Sequence, residues 1–164
     1  MPIMDSHNFE FISRSPEQTR RLGSRIGSLL AKRDVICLSG DLGAGKTTLV
    51  QGIARGWGTT DTVSSPTFVL VNEYKRNTGD ILYHMDAYRL QDAAEAFDLD
   101  VDRMMEDGAM LVEWAERIKK ALPNNALWIN MLWIADEQRE LEFTAHGERS
   151  QALMEQFKKK VVGA

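Results

Sequence analysis

The sequence predicts an α/β domain, a mixed sheet flanked by helices and carrying two antiparallel hairpins. Three observations lead there. The apolar run DVICLS, residues 34–39, enters a glycine-rich stretch and then a helical pattern. A second apolar run, AMLV at 109–112, ends in an acid, Glu113. Two pairs of strand-like segments are each joined by a short turn cluster, as hairpins are.

Each element follows in chain order. NFEFIS puts Phe9 and Phe11 on one face of a short strand. Ser15, Pro16 and Gln18 then supply an N-cap, a first helical residue and the closing member of a capping box. The helix they open carries Leu22, Ile26, Leu29 and Leu30 inward and ends near Lys32. DVICLS is nearly continuous in apolar character, as a strand covered on both faces should be. After the glycine loop a helix runs from about Lys46 to Arg55 and closes at GWG, residues 56–58. Pro66 assigns residues 64–67 to a loop. Residues 68–74 and ILYHMD (81–86) read as strands around the turn cluster KRNTGD, the first hairpin. DAAEAFDLDVDRMMED is helical, interrupted around Asp98. AMLVE is a buried strand. LWINMLWI and RELEFTA flank ADEQ as the second hairpin, and SQALMEQFKKKV closes the chain as an amphipathic helix.

The bulk properties narrow the function classes. The 164 residues suit one domain over 1–164, and 43% hydrophobic residues suffice for a core without staples. Net charge is −4, and the 20 basic residues are dispersed apart from KKK at 158–160. That argues against extensive direct binding to a nucleic-acid backbone, which needs a basic face. The single cysteine, Cys37, allows no internal disulfide and reads as a small buried strand residue. The N-terminus has no basic-then-apolar leader, and no apolar run approaches the ~20 residues of a membrane span. A cytoplasmic location is the expectation.

Chemistry concentrates in GDLGAGKTT, residues 40–48. Gly40, Gly45, Lys46 and Thr47 satisfy G-x-x-x-x-G-K-[ST], with Asp41, Leu42, Gly43 and Ala44 between them. Glycines let successive N–H groups turn inward around phosphate oxygens, and the helix beginning at Lys46 adds its positive end. The Lys46 ammonium reaches the β- and γ-phosphates, the Thr47 hydroxyl ligates Mg²⁺, and Thr48 approaches the α-phosphate. The domain is therefore P-loop NTPase-like. No N-K-x-D tetrapeptide occurs, which favours ATP over GTP.

Mg²⁺ requires a further hard oxygen ligand. Glu113, at the end of a buried strand, is the better candidate for the metal side; Asp86, ending ILYHMD, is the other acid. Thr67 in SSPT has the character of a switch threonine that senses the γ-phosphate or the metal, against the plainer reading of a loop hydroxyl. Arg89 is either an arginine finger in cis or a structural ion pair. His84 reads as a satisfied structural histidine. Three of the four tryptophans read as packing; Trp114 stands apart because it follows Glu113. The three histidines and one cysteine show no zinc-type spacing.

GDLGAGKTT, SSPTF, YHMDAYRL and LVEWAERI followed by LP, in this order and spacing, resemble the bacterial TsaE (YjeE) family over about residues 9–147. The opening SPEQTRRLG fits as well. The resemblance implies a small P-loop ATPase of tRNA threonylcarbamoyladenosine biosynthesis that binds ATP with Mg²⁺ and hydrolyses it weakly alone. It implies work with the TsaD and TsaB proteins, which make the transfer, with tRNA met only through that complex. It also implies that Lys46 and its loop hold the phosphates, that Thr47 and Glu113 sit on the metal side, and that Asp86 serves hydrolysis. Ser65, Pro66 and Thr67 match the switch-like loop, and the segment before the first helix and the turn near Arg139 border the adenine.

Two other classes use the same loop. A small-molecule kinase would need an acceptor lid rich in arginines; after Glu113 only Arg117, Arg139 and Arg149 occur, widely spaced. A nucleotide-dependent binding switch would order SSPT on ATP with negligible catalysis.

Overall fold

The computed structural model describes residues 7–40, 45–63 and 71–162. Its strands are β1 (Asn8–Ser13), β2 (Val35–Gly40), β3 (Val71–Lys75), β4 (Ile81–Asp86), β5 (Ala109–Glu113), β6 (Leu127–Ala135) and β7 (Gln138–Ala145). They form a seven-stranded sheet in the order β1-β7-β6-β2-β5-β4-β3. β2 pairs in parallel with both β5 and β6, and β4 pairs in parallel with β5. β3–β4 and β6–β7 are the two antiparallel hairpins. The mixed α/β architecture expected from the sequence is therefore the one observed.

The central strands explain their own composition. On β2, Ile36 and Leu38 enter one core and Val35 and Cys37 the other. The first core is completed by Leu22 and Ile26 of α1 (Pro16–Leu29), Leu49, Val50 and Ile53 of α2 (Lys46–Trp57), and Leu153, Met154 and Phe157 of α5 (Gly147–Val162). The second is completed by Ala96 of α3 (Ala93–Asp98), Val101 and Met104 of α4 (Val101–Asp107), and Ile118 of a 3₁₀ helix, Ala115–Ala121. Helices on both faces require apolar side chains at successive positions, hence VICL. Burial also pushes the Cys37 thiol pKa well above its ordinary value, as befits a packing residue.

Local signals place the helix ends. Ser15 Oγ accepts from the Gln18 N–H at 3.1 Å, and Gln18 Oε1 accepts from the Arg14 N–H at 2.7 Å, one residue before the cap. α1 stops at Leu29 rather than near Lys32, because Leu30 is already extended. α2 runs two residues past Arg55 to Trp57, where Gly58 takes a left-handed φ of 109° and its N–H bonds back to Ala54 and Arg55. The expected break near Asp98 separates α3 from α4.

α1 and α2 meet backbone to backbone. A Cβ on Gly27 would collide with the Ile53 carbonyl, and one on Gly52 with the Arg20 carbonyl. Only glycine permits that approach at these positions. At the start of β2, Asp34 is buried and accepts from Arg149 of α5 through both oxygens, at 2.8 and 2.7 Å.

Candidate functional site

The parallel strands β2, β4 and β5 end together at Gly40, Asp86 and Glu113, the edge where open α/β sheets bind ligands. Gly40 has φ 129°, and a Cβ there would strike the Met131 carbonyl. Of the glycine loop, Asp41, Leu42, Gly43 and Ala44 lie outside the described residues, as does Thr67 with the rest of SSPT.

Gly45 is the N-cap of α2, left-handed at φ 94°, and supplies no side-chain cap to the first turn. That turn carries no acid either. Its N–H groups and positive helix end therefore suit an anion. Lys46 is only 6% exposed. Its ammonium donates to the Gly40 carbonyl at 2.6 Å and stands 3.7 Å from the centroid of the Trp114 ring. Thr47 is exposed on the same turn, and Thr48 is half-buried.

Across from this turn, Asp86 and Glu113 are register partners on β4 and β5. The two acids differ in environment. Asp86 is half-buried and accepts the Tyr88 N–H at 2.9 Å. Burial raises its carboxyl pKa, and the nearby Glu113 adds to this, against the Tyr88 hydrogen bond, His84 and Lys46. Glu113 is buried, and its Oε2 meets His84 Nε2 at 2.6 Å. The other ring nitrogen, Nδ1, meets the Tyr74 hydroxyl at 3.0 Å. His84 is thus satisfied, as the sequence suggested, but one of its partners is the candidate metal-side acid.

Trp114 adopts φ 56°, an uncommon conformation for a bulky residue. The turn starts the 3₁₀ helix, to which the sequence reading gave no element, and turns the indole toward Lys46 and Tyr88, 5.1 Å from the Tyr88 ring. Arg89 is exposed in the turn after β4. On the other side of α2, Arg139 donates through Nη1 to the Ala135 and Gln138 carbonyls, both at 2.9 Å. Its Nε lies 3.8 Å from where a Cβ on Gly45 would sit. A small cleft there is lined by Pro16, Thr19, Gly45, Thr48, Glu137 and Arg139. The start of α1 and the β6–β7 turn therefore converge beside the glycine loop.

The donor set fits a nucleotide triphosphate with a hard divalent cation. It offers a buried ammonium, an uncapped helix start and two carboxylates at neighbouring strand ends. Among the described residues, the one cluster of three close carboxylates is Glu10, Glu140 and Glu142, on the sheet strands β1 and β7, away from Asp86 and Glu113. No described helix is long and apolar enough to cross a membrane.

Comparison with known proteins agrees with the motifs. The profile of the family described as threonylcarbamoyl adenosine biosynthesis protein TsaE matches residues 13–141. The chain is 42% identical over 144 residues to the tRNA threonylcarbamoyladenosine biosynthesis protein TsaE of Bacillus subtilis (strain 168), covering 87% of this chain and 89% of that one. It is 38% identical over 131 residues to the protein of the same name from Treponema pallidum (strain Nichols), covering 79% and 96% respectively. The crystal structure of Bacillus subtilis YdiB superposes with a TM-score of 0.80 at 36% identity, over 94% of this chain and 96% of that chain. On this sequence and structural likeness, the chain belongs to the TsaE family.

Proposed function

We propose that this chain is a Mg²⁺-dependent ATPase of the cytoplasm, slow on its own, that serves tRNA threonylcarbamoyladenosine modification as an accessory to the TsaD and TsaB proteins. It does not transfer the group itself, and it meets tRNA through the complex. The observation that carries the ATPase reading is the buried Lys46 ammonium at the uncapped start of α2, beside Asp86 and Glu113 at adjacent strand ends. Family membership and the printed names of the relatives support the pathway.

In this reading the glycine loop, Gly40 to Gly45, with Lys46, Thr47 and Thr48, holds the phosphates. Thr47 and Glu113 would hold Mg²⁺, which when bound supplies charge neutralisation at the phosphate oxygens. Asp86 orients the attacking water. Its raised proton affinity suits a group that takes a proton from that water. Thr67 senses the γ-phosphate or metal, and the cleft at Arg139 and Pro16 borders the adenine.

The decisive experiment is a pull-down of TsaD and TsaB by this protein with and without ATP, paired with steady-state ATP turnover. Retention of the pair and a change in turnover on adding it are expected. ATP binding with neither retention nor altered turnover would sink the accessory role.

A further inference from the structure

The site contains a hydrogen-bond chain that the nucleotide-binding motifs leave unexplained. Asn72 on β3 donates from Nδ2 to the Tyr74 hydroxyl oxygen at 3.4 Å. Tyr74, on the same strand, meets His84 Nδ1 at 3.0 Å, and His84 Nε2 meets Glu113 Oε2 at 2.6 Å. Tyr74, His84 and Glu113 are each at most 4% exposed. The register makes the chain possible: Asn72 lies opposite His84 across β3–β4, and His84 stands beside Leu111 on β5, two residues from Glu113.

With a neutral imidazole, one arrangement of protons satisfies every link. A carboxylate only accepts, so Nε2 carries the proton and donates to Glu113. Nδ1 is then an acceptor, so the Tyr74 hydroxyl must donate to it. The hydroxyl's oxygen is left to accept from Asn72. All the bonds therefore run in one direction, from the edge hairpin to the acid beside the glycine loop. A phenylalanine at 74 would leave Nδ1 without this donor, and the imidazole without the contact that fixes its tautomer and ring angle.

We infer that Tyr74 and His84 are positioning residues for the metal side of the site: they lock the Glu113 carboxylate by one oxygen, Oε2, so that the other is presented in a fixed direction. This rests on the proposed role of Glu113 with Mg²⁺. Carboxylates around metals are commonly held by such outer partners, and loss of the partner costs ~10–100-fold in metal affinity or activity. Tyr74 belongs to the same buried apolar cluster as Leu82 and Leu111, so the alternative partners that water would provide are scarce.

The test uses the intact protein with a non-hydrolysable ATP analogue and Mn²⁺ as a spectroscopic stand-in, read by electron paramagnetic resonance, alongside the Mg²⁺ dependence of ATP hydrolysis. Y74F and H84L should weaken Mn²⁺ binding by about ten-fold and raise the half-saturating Mg²⁺ to match, while nucleotide affinity without metal stays within two-fold. H84Q keeps an amide donor for Glu113 and should recover most of the loss. Thermal melting of each variant identifies any that fails to fold; Y74F, which removes a single oxygen, then carries the test. Unchanged Mn²⁺ binding in folded Y74F and H84L, with loss in E113Q, overturns the relay and leaves the role of Glu113 standing. Native Mn²⁺ binding in E113Q overturns both.

Discussion

Replacing Lys46 by alanine separates binding from folding. The Lys46 ammonium donates to the Gly40 carbonyl at 2.6 Å and makes a cation–π contact, 3.7 Å to the Trp114 ring. The hydrogen bond to a charged group is worth about 1.5–3 kcal/mol. The ring contact adds up to about 2 kcal/mol where water is excluded. Against these stands the cost of burying an ammonium that is 6% exposed, several kcal/mol by the general scale for buried ions. The terms offset, and the orphaned partner is a carbonyl rather than a charge. Lys46→Ala should therefore alter the stability of the ligand-free fold by no more than about 1 kcal/mol, or about 2–4 °C in Tm for a chain of this size. Binding behaves differently, because in the proposed reading the lysine's charge faces the phosphates. At ~4 Å and an effective dielectric constant of ~20, one ammonium–phosphate charge pair contributes about 4 kcal/mol. ATP affinity should fall about 10³-fold. Isothermal calorimetry with ATP and Mg²⁺, run on samples whose melting is recorded in parallel, reads both quantities. A variant that binds ATP within ten-fold of the native protein would refute the assignment of Lys46 as a phosphate ligand.

Two further outcomes follow from charges elsewhere. The raised Asp86 pKa means that the native state holds this proton more tightly than the unfolded chain, so ionising Asp86 costs stability at neutral pH and the cost disappears below the ordinary carboxylate pKa. Asp86→Asn should stabilise the ligand-free fold at pH 8 while stopping hydrolysis, and the gain should shrink toward pH 4 in urea titrations; an equal gain at both pH values contradicts the burial argument. Arg149→Ala removes two charge-assisted bonds to the buried Asp34. Because the Arg149 side chain is 41% exposed, water compensates in part and the loss should be about 2 kcal/mol. A double-mutant cycle with Asp34→Asn that gives less than about 0.5 kcal/mol of coupling would place the pair among surface ion pairs of no consequence.

What the sequence disclosed and what it hid divide by range. DVICLS declared itself a strand buried on both faces because each face of β2 meets its own core. Ser15 and Gln18 declared the start of α1 because capping is settled within four residues. The order of the strands lay beyond that reach: β1 pairs with β7, joining Phe9 to Phe143, and no local pattern encodes a partner so far along the chain. The same limit applies in the site. Lys46, Asp86 and Glu113 were legible through their motifs, but His84 and Glu113 are 29 residues apart, and only the parallel register of β4 on β5 shows that they touch. Arg139 was linked to the nucleotide side by family resemblance alone; its place beside Gly45 comes from a bulged hairpin that folds over the end of α2. Trp114 drew notice from its neighbour, whereas its left-handed backbone, which aims the ring at Lys46, has no signature in side-chain pattern.

The glycine seam between α1 and α2 sets a mechanical boundary condition for the whole domain. With the Ile53 and Arg20 carbonyls in contact with glycine positions of the opposite helix, neither helix can slide or roll without a backbone collision. α2 is thus an anvil: in the proposed reading, a phosphate arriving at Gly45 and Lys46 meets a stop that does not recoil.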